Sequence, residues 1–353
     1  MNDEASEIRP DYPIIKVEEL AYAYGKPDGH GCFKAQPADF IVRETLSFEP
    51  EGEGTHVYLY IQKTETNTEW LARQLARFVG IEAKEIGYAG LKDRNAITSQ
   101  WFSVKLEGID EPNWDELQLD GVTILKKTWH RKKLRRGAIK SNHFDIVLKD
   151  VQSVASDVLK QRIEQIQKEG VPNYFAQQRF GHDYNNLTRG ARWFAGDIKI
   201  KKRTDKSMII SASRSMVFNQ MVSQRLNQFG WNQLVNGDIM MLNATHSIFP
   251  APEINDEILQ RFHAIDIHPT APLWGRGRLS SEQQLLQLEQ EVADPLHKWC
   301  DGLEKQGLKQ ERRAIRLFPQ SLSYTLEGTE LSLSFSLPSG AYATAVLREI
   351  IQF

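Results

Sequence analysis

Cysteine is almost missing: Cys32 and Cys300 stand far apart in a chain of 353 residues. That spacing excludes a disulfide framework, a redox CxxC pair and a cysteine-rich zinc site. Long apolar runs are absent as well, and nothing approaches the roughly 18 apolar residues that a membrane-spanning helix needs. The start, MNDEASEIRPDYP, is polar and acidic rather than basic then apolar, so no secretory signal is expected and a cytoplasmic setting is. Familiar signatures are missing too: no GxxxxGK(S/T) phosphate loop, no HExxH, no HxE with PCxxC, and no GxSxG nucleophile elbow. GRGR, Gly275 to Arg278, follows a loop and lacks a third glycine in register, so it fails as a dinucleotide fingerprint. These absences leave an enzyme without a structural metal as the default.

Charge is near balance overall, with a formal value of −2, yet it is unevenly spread. The first 53 residues hold twelve acids against five bases. The stretch GVTILKKTWHRKKLRRGAIKSNHF, Gly121 to Phe144, holds eight Lys and Arg and no acid. Val122, Ile124, Leu125, Trp129, Leu134 and Ile139 are interleaved with those cations, which predicts a folded element rather than a disordered tail. Phosphate contact is the better reading of such a surface, with RNA or DNA as the polyanion.

Periodicity predicts mixed α/β structure. THVYLYIQKT (Thr55 to Thr64) reads as a strand, and NTEWLARQLARFVG as a helix capped by Asn67 or Thr68 and stopped at Gly80. IGYAG and TSQWFSVKL read as two further strands, so LKDRNAI connects them and places Asp93 at a strand end. HFDIVLKDV is another strand, and SVASDVLKQRIEQIQKEG a helix with Val154, Val158, Ile163 and Ile166 as its apolar positions. Near residue 170 the texture becomes rich in Asn, Gln, Arg and aromatics, followed by a helix at SRSMVFNQMVSQRLNQF. FPAPEIND through HPTAPLWGRGRLSSE reads as long loops. LSLSFSLPSG is a half-buried strand and AYATAVLREII a helix.

Asp93 lies between Lys92 and Arg94, where the flanking cations favour the anionic form. An anionic carboxylate cannot serve as a general acid. It can serve as a nucleophile toward a carbon that becomes electron-poor as a leaving group departs, as in retaining glycosidases. On a nucleotide that carbon is C1′ of the ribose, or C6 of a pyrimidine. Either centre is buried in a stacked helix, so the nucleotide must be flipped out and held by aromatic stacking and edge hydrogen bonds. Phe40, Asn142, Phe144 and Tyr342 are candidates for that task. On loop context alone a turn residue is the better reading of Asp93, and a core aromatic the better one of Phe40 and Phe144.

AGLKDRNAITSQW (Ala89 to Trp101) closely resembles the signature of the TruD family of tRNA pseudouridine synthases. The resemblance continues through QPADFIVRE (Gln36 to Glu44), RKKLRRGAIKSNHF (Arg131 to Phe144), GVPNYFAQQRFG (Gly170 to Gly181), SRSMVFNQ (Ser213 to Gln220) and LPSGAYATAVLREI (Leu337 to Ile350). Only the stretches near 182–212 and 232–310 are less distinctive. The resemblance implies isomerisation of uridine to pseudouridine in tRNA, at position 13 of the D-arm in bacterial members, with Asp93 as nucleophile and no cofactor. It implies that Phe40, Asn142 and Phe144 line the pocket, and that Lys92 pairs with the nucleophile or with a phosphate. Tyr342 stands where many relatives have Phe, keeping the stacking face and adding a hydroxyl. Arg131, Lys132, Lys133, Arg135, Arg136 and Arg179 are the candidate contacts to the RNA backbone. No membrane and no obligatory protein partner are expected.

The implied fold is of α+β type. A pseudouridine-synthase domain, with a mixed and mostly antiparallel sheet and flanking helices, would comprise 1–167 and 317–353. An inserted α/β TRUD domain would occupy 168–316. Two rival functions keep the same basic surface or the same carboxylate: a non-catalytic tRNA-binding protein or chaperone, and a glycosidic hydrolase with Asp39 or Glu44 as a second acid.

Overall fold

The computed structural model describes residues 9–353, so the first eight residues of the acidic start, read above as carrying no secretory signal, lie outside it. The chain forms two compact units. One comprises 28–167, 319–343 and 351–353; the other comprises 168–318, the described residues 9–27, and 344–350. Two of the crossings, at 167/168 and 318/319, lie beside the expected domain boundaries, whereas residues 9–27 and the last helix cluster with the intervening segment.

The first unit begins with β1 (His30–Phe33), β2 (Phe40–Leu46), β3 (His56–Thr64), α1 (Thr68–Val79), β4 (Ile86–Tyr88), β5 (Ile97–Lys105), β6 (Val122–His130), β7 (Ile139–Gln152) and α2 (Ser156–Glu169). Asn67 caps α1 by accepting from the N–H groups of Glu69 and Trp70, and Gly80 ends it at φ 77°. Leu71 and Leu75, one turn apart, are fully buried against Val57, Leu59, Ile61, Phe102 and Val104 of the sheet. The alternate residues Tyr58 and Trp101 pack on the other face with Leu46, Ala89 and Leu134. The period-two pattern of β3 thus feeds two hydrophobic layers at once. In α2 the buried positions are Leu159, Ile163 and Ile166, while Val158 is 55% exposed. The spacing i, i+4, i+7 selects Leu159, which the expected pattern skipped in favour of Val158.

The second unit contains β8 (Val171–Pro172), α3 (Asn185–Ala195), α4 (Arg203–Phe229), β9 (Asp238–Leu242), β10 (Ile248–Ala251), α5 (Asp256–His263), β11 (Ile267–Leu273), α6 (Gln283–Ala293), α7 (His297–Lys305), β12 (Glu311–Ala314) and β13 (Arg316–Leu317). Strands run in the order β10-β9-β11-β12. The segment expected to be long loops therefore contains two strands and a helix. Proline misled the reading: β11 pairs with β9 over Ile267–Pro269 and with β12 over Thr270–Leu273, so each half has a free edge that tolerates a missing N–H.

The chain returns to the first unit with β14 (Gln320–Glu327) and β15 (Glu330–Pro338), and α8 (Ala343–Ile350) follows. Nine strands form one sheet, ordered β14-β15-β7-β2-β5-β3-β6, with β1 on β7 and β4 on β5. Every pairing is antiparallel except β2 with β5, where Ile41 faces Ile97. That parallel seam brings the starts of both strands to one end, so Phe40 and the loop that carries Asp93 come together across more than fifty residues of sequence. No helix among the described residues is long and apolar enough to cross a membrane.

Candidate active site

Asp93 sits in the connection from β4 to β5, and that connection is pinned at four points. Gln100 Nε2 donates to the Gly90 carbonyl (3.1 Å) and Thr68 Oγ1 accepts from the Lys92 N–H (3.1 Å). Thr68 and Gln100 are themselves joined at 2.9 Å. Lys63 Nζ donates to the Asp93 carbonyl (3.1 Å) and to the Thr66 carbonyl (2.6 Å), and Arg94 Nε donates to the Glu65 carbonyl (3.2 Å). The loop is preorganised, because the Gly90 carbonyl, the Lys92 N–H and the Asp93 carbonyl are each tied to a strand or to the start of α1.

The carboxylate itself is gripped by Lys34, whose Nζ pairs with Asp93 Oδ2. Lys34 follows β1 at φ 58°, a left-handed conformation that side chains other than glycine adopt reluctantly. Its ammonium lies 4.0 Å from the Phe40 ring centroid and 5.2 Å from that of Phe33. Phe33 meets Phe40 edge-on at 5.4 Å, and the series continues to Phe144 at 6.0 Å and on to Phe335. An anion, a cation and an aromatic wall thus meet at the seam. The Asp93 side chain remains about one-third exposed, so the carboxylate can be reached from outside.

Lys92 turns the other way. Its Nζ pairs with Glu44 Oε2 at 2.9 Å and donates to Asn142 Oδ1 at 2.6 Å, with the Glu44 side chain fully buried and that of Lys92 nearly so. The cation on the Asp93 carboxylate is therefore Lys34 rather than Lys92. Glu44 also accepts from the Trp101 N–H, and Asp39 accepts from Gln36 while pairing with Lys149 at 3.4 Å. Both carboxylates offered as a second acid are occupied in holding the framework. Asn142 and Phe144 sit on β7 opposite Glu44 and Val42 of β2, and His143 faces the opposite way, bonded to Ser336 and Asp145. Among the described residues no acceptor meets Asn142 Nδ2, which leaves a donor beside the aromatic wall. Tyr342 is half-buried in the turn after β15; Leu337 pairs with Asn142, and the Ser339 N–H bonds to the Lys140 carbonyl, so the turn begins at the Asn142 end of β7.

Lys63 is the group with the most perturbed charge here. Burial pulls its ammonium down to about 8, with the charge of Asp93 opposing that fall and the charge of Lys92 adding to it. Sequence reasoning missed both Lys63 and Lys34. A signal for Lys63 existed: it is the fourth inward position after Val57, Leu59 and Ile61, where an apolar side chain would be expected. Lys34 left no trace in periodicity, since its role depends on a backbone turn.

The basic connection from β6 to β7 is folded as expected, anchored by buried Leu134. Its cations are not equally available. Arg131 pairs with Glu51 (3.1 Å) and Glu53, and Lys133 reaches the Lys84 carbonyl. Lys132 is exposed, its carbonyl accepting from the Tyr58 hydroxyl. Arg135 and Arg136 are exposed and line a shallow concavity of about 490 Å³ with Lys84, Tyr88 and Lys133. Arg179 belongs to the second unit, where it donates to Ser211 Oγ at 3.1 Å and lies over the Phe175 ring. Among the described residues no group of three or more His, Cys, Asp or Glu side chains is arranged to hold a metal ion.

Comparison with known proteins follows the same lines. The family model described as tRNA pseudouridine synthase D (TruD) matches residues 16–200 and 184–350. A tRNA pseudouridine synthase D of Aeromonas hydrophila is 47% identical over 95% of this chain and 95% of its own. Its namesake from Methylococcus capsulatus is 40% identical over 98% and 97%. The fold is shared with the crystal structure of the putative tRNA pseudouridine synthase D from Methanosarcina mazei, at a TM-score of 0.69 and 19% identity over 94% of this chain and 95% of that one. With similarity of this extent along nearly its whole length, the chain belongs to the tRNA pseudouridine synthase D family.

Proposed function

We propose that this protein isomerises one uridine of tRNA to pseudouridine, with Asp93 as the nucleophile acting on a flipped-out nucleotide, and that the target is uridine 13 of the D-arm. The observation that carries the reading is the Lys34–Asp93 pair held against Phe40 on a loop tied down at four points. The Lys34 cation holds and aims the carboxylate, and the ring supplies a flat face for the uracil. The carboxylate adds to C1′ of the ribose or to C6 of the pyrimidine. Attack at C1′ displaces uracil through N1, and C5 of the turned uracil then displaces the carboxylate from C1′; attack at C6 is followed by N1–C1′ cleavage, turning, C5–C1′ bond formation and loss of the carboxylate from C6. In either course Asp93 is regenerated and the proton on C5 leaves to water. Uracil is retained throughout, and the Asn142 amide is positioned to hold one edge of it during the turn. The catalytic domain of this reading is 1–167 with 317–353, a division by sequence that includes the unit bearing Asp93 and adds to it the stretch before 28 and the last helix, and 168–316 is the inserted domain. The enzyme works in the cytoplasm without a cofactor.

The test is release of tritium from tRNA transcribed with 5-³H-uridine, comparing the parent with Asp93→Asn and analysing the recovered RNA. The expected result is release by the parent alone, one pseudouridine per tRNA and no free uracil. Release with free uracil would make the protein a hydrolase. No release despite salt-sensitive tRNA binding would make it a binding protein and sink the proposal.

A further inference from the structure

We infer that the exposed cationic run from Lys199 to Lys206, in the unit that does not carry Asp93, is a docking surface for the phosphate backbone of tRNA. The identity of the polyanion rests on the function proposed above; the surface itself does not.

Five cations, Lys199, Lys201, Lys202, Arg203 and Lys206, fall within eight residues, and all five are exposed. The segment is nonetheless fixed in place. Ile200 is buried between Lys199 and Lys201, and Arg203 opens the 27-residue α4, whose next buried residue is Ile209. The neighbouring acids are already committed: Asp205 to Arg189 at 3.0 Å and Asp197 to Arg9 at 2.9 Å. None of the five cations has a carboxylate partner among the described residues.

Such a cluster does not serve stability. The beginning of a helix carries partial positive charge and favours acids by about 0.3–1 kcal/mol each, so Arg203 and Lys206 stand at its unfavourable end. Closely spaced like charges add repulsion. An anionic ligand reverses both terms. The basic connection at 131–136, which the sequence marked more strongly, has Arg131 and Lys133 engaged with protein groups, so the 199–206 run holds more uncommitted charge. Trp193 adds a half-buried aromatic face with Lys206 Nζ 5.8 Å from its centroid, which suits a nucleic acid better than a featureless polyanion.

Phosphate contacts release counterions, and each one contributes about 0.7 to 0.9 to the slope of log affinity against log salt. The experiment compares the parent, a variant with Lys199, Lys201, Lys202 and Lys206 all changed to Gln, and a charge-matched control with Lys26, Lys160, Lys168 and Lys305 changed to Gln. Each is titrated with unmodified tRNA transcript from 50 to 300 mM salt and assayed for pseudouridine formation. The patch variant should lose about 3 from the slope and ~10-fold or more in affinity, with KM raised and kcat at saturating tRNA within about twofold of the parent. The control should keep the parent slope. Equal slopes for parent and patch variant, or equal losses in patch variant and control, would overturn the assignment. A parent that binds tRNA but forms no pseudouridine would refute the proposed function while leaving the slope comparison to decide the surface by itself.

Discussion

Lys63 donates to the main-chain carbonyl of Asp93 at 3.1 Å, from a position with no exposure to solvent. A charge has been placed in the core to hold the backbone of the residue whose side chain faces outward. Two lysines therefore act on Asp93: Lys63 from below through the peptide, Lys34 from above through the carboxylate.

Removing the lower contact should disturb position more than binding. Lys63→Met is expected to lower kcat by roughly 10–100-fold, the cost of displacing a reacting group by about an ångström, with KM for tRNA within about threefold. Steady-state kinetics on a tRNA transcript decides this. Equal losses in kcat and affinity would point to general unfolding instead.

The same residue makes stability depend on pH in a defined window. The folded-state value of Lys63 is lowered to about 8 from an ordinary 10.5. Below pH 8 the amine is charged in both states and the burial cost is fully present. Between about 8 and 10.5 the unfolded chain holds more protons, so folding gains stability as pH rises. Denaturant titrations should show the parent gaining ~1–3 kcal/mol relative to Lys63→Met across that window, and a flat difference would remove the assignment of charge.

Lys34→Met leaves the Asp93 carboxylate without its cation but keeps the aliphatic stem against Phe40. A fall in kcat of ~100-fold or more is expected, with tRNA affinity little changed and partial recovery in Lys34→Arg. Single-turnover rates at saturating enzyme separate the chemical step from binding. A full rate in Lys34→Met would show that the loop alone aims the Asp93 carboxylate.

Glu44 and Lys92 form a buried pair whose separation should be costly. Glu44→Gln strands the Lys92 charge, an error worth about 3–5 kcal/mol, and should lower Tm by at least ~5 °C. The double change Glu44→Gln with Lys92→Met should recover much of that loss in calorimetry. Activity should stay low, because Asn142 loses the ammonium that fixes its amide.

How much of this was legible beforehand depended on range. Local patterns read well: the caps of α1 at Asn67 and Gly80, the alternation of β15 and the folded basic connection all follow from residues within a dozen positions of one another. Motif resemblance carried Asp93, Phe40, Asn142 and Phe144, which local context would have left as a turn residue, two core rings and a residue capping a turn. The partners of Asp93 were not legible, because Lys34 reaches it from 59 positions away and Lys63 from 30. Proline hid β10 and β11, since a missing donor matters only on an edge that is in use. Val158 passed for a core residue because one position along a helix is a rotation of about 100°.

The placement of β7 between β2 and β15 sets an order on how the protein can come into being. β2 precedes β7 by about a hundred residues, but β15 follows only after more than 150 further residues have been made. Until then the strand that carries Asn142 and Phe144 keeps an open edge from Ser141 to Leu148, a template for any stray strand. A chain on the ribosome thus possesses Asp93 long before β15 completes the sheet beside Asn142 and Phe144. A folding helper that shields this edge during synthesis would raise the yield of active protein without touching the finished enzyme.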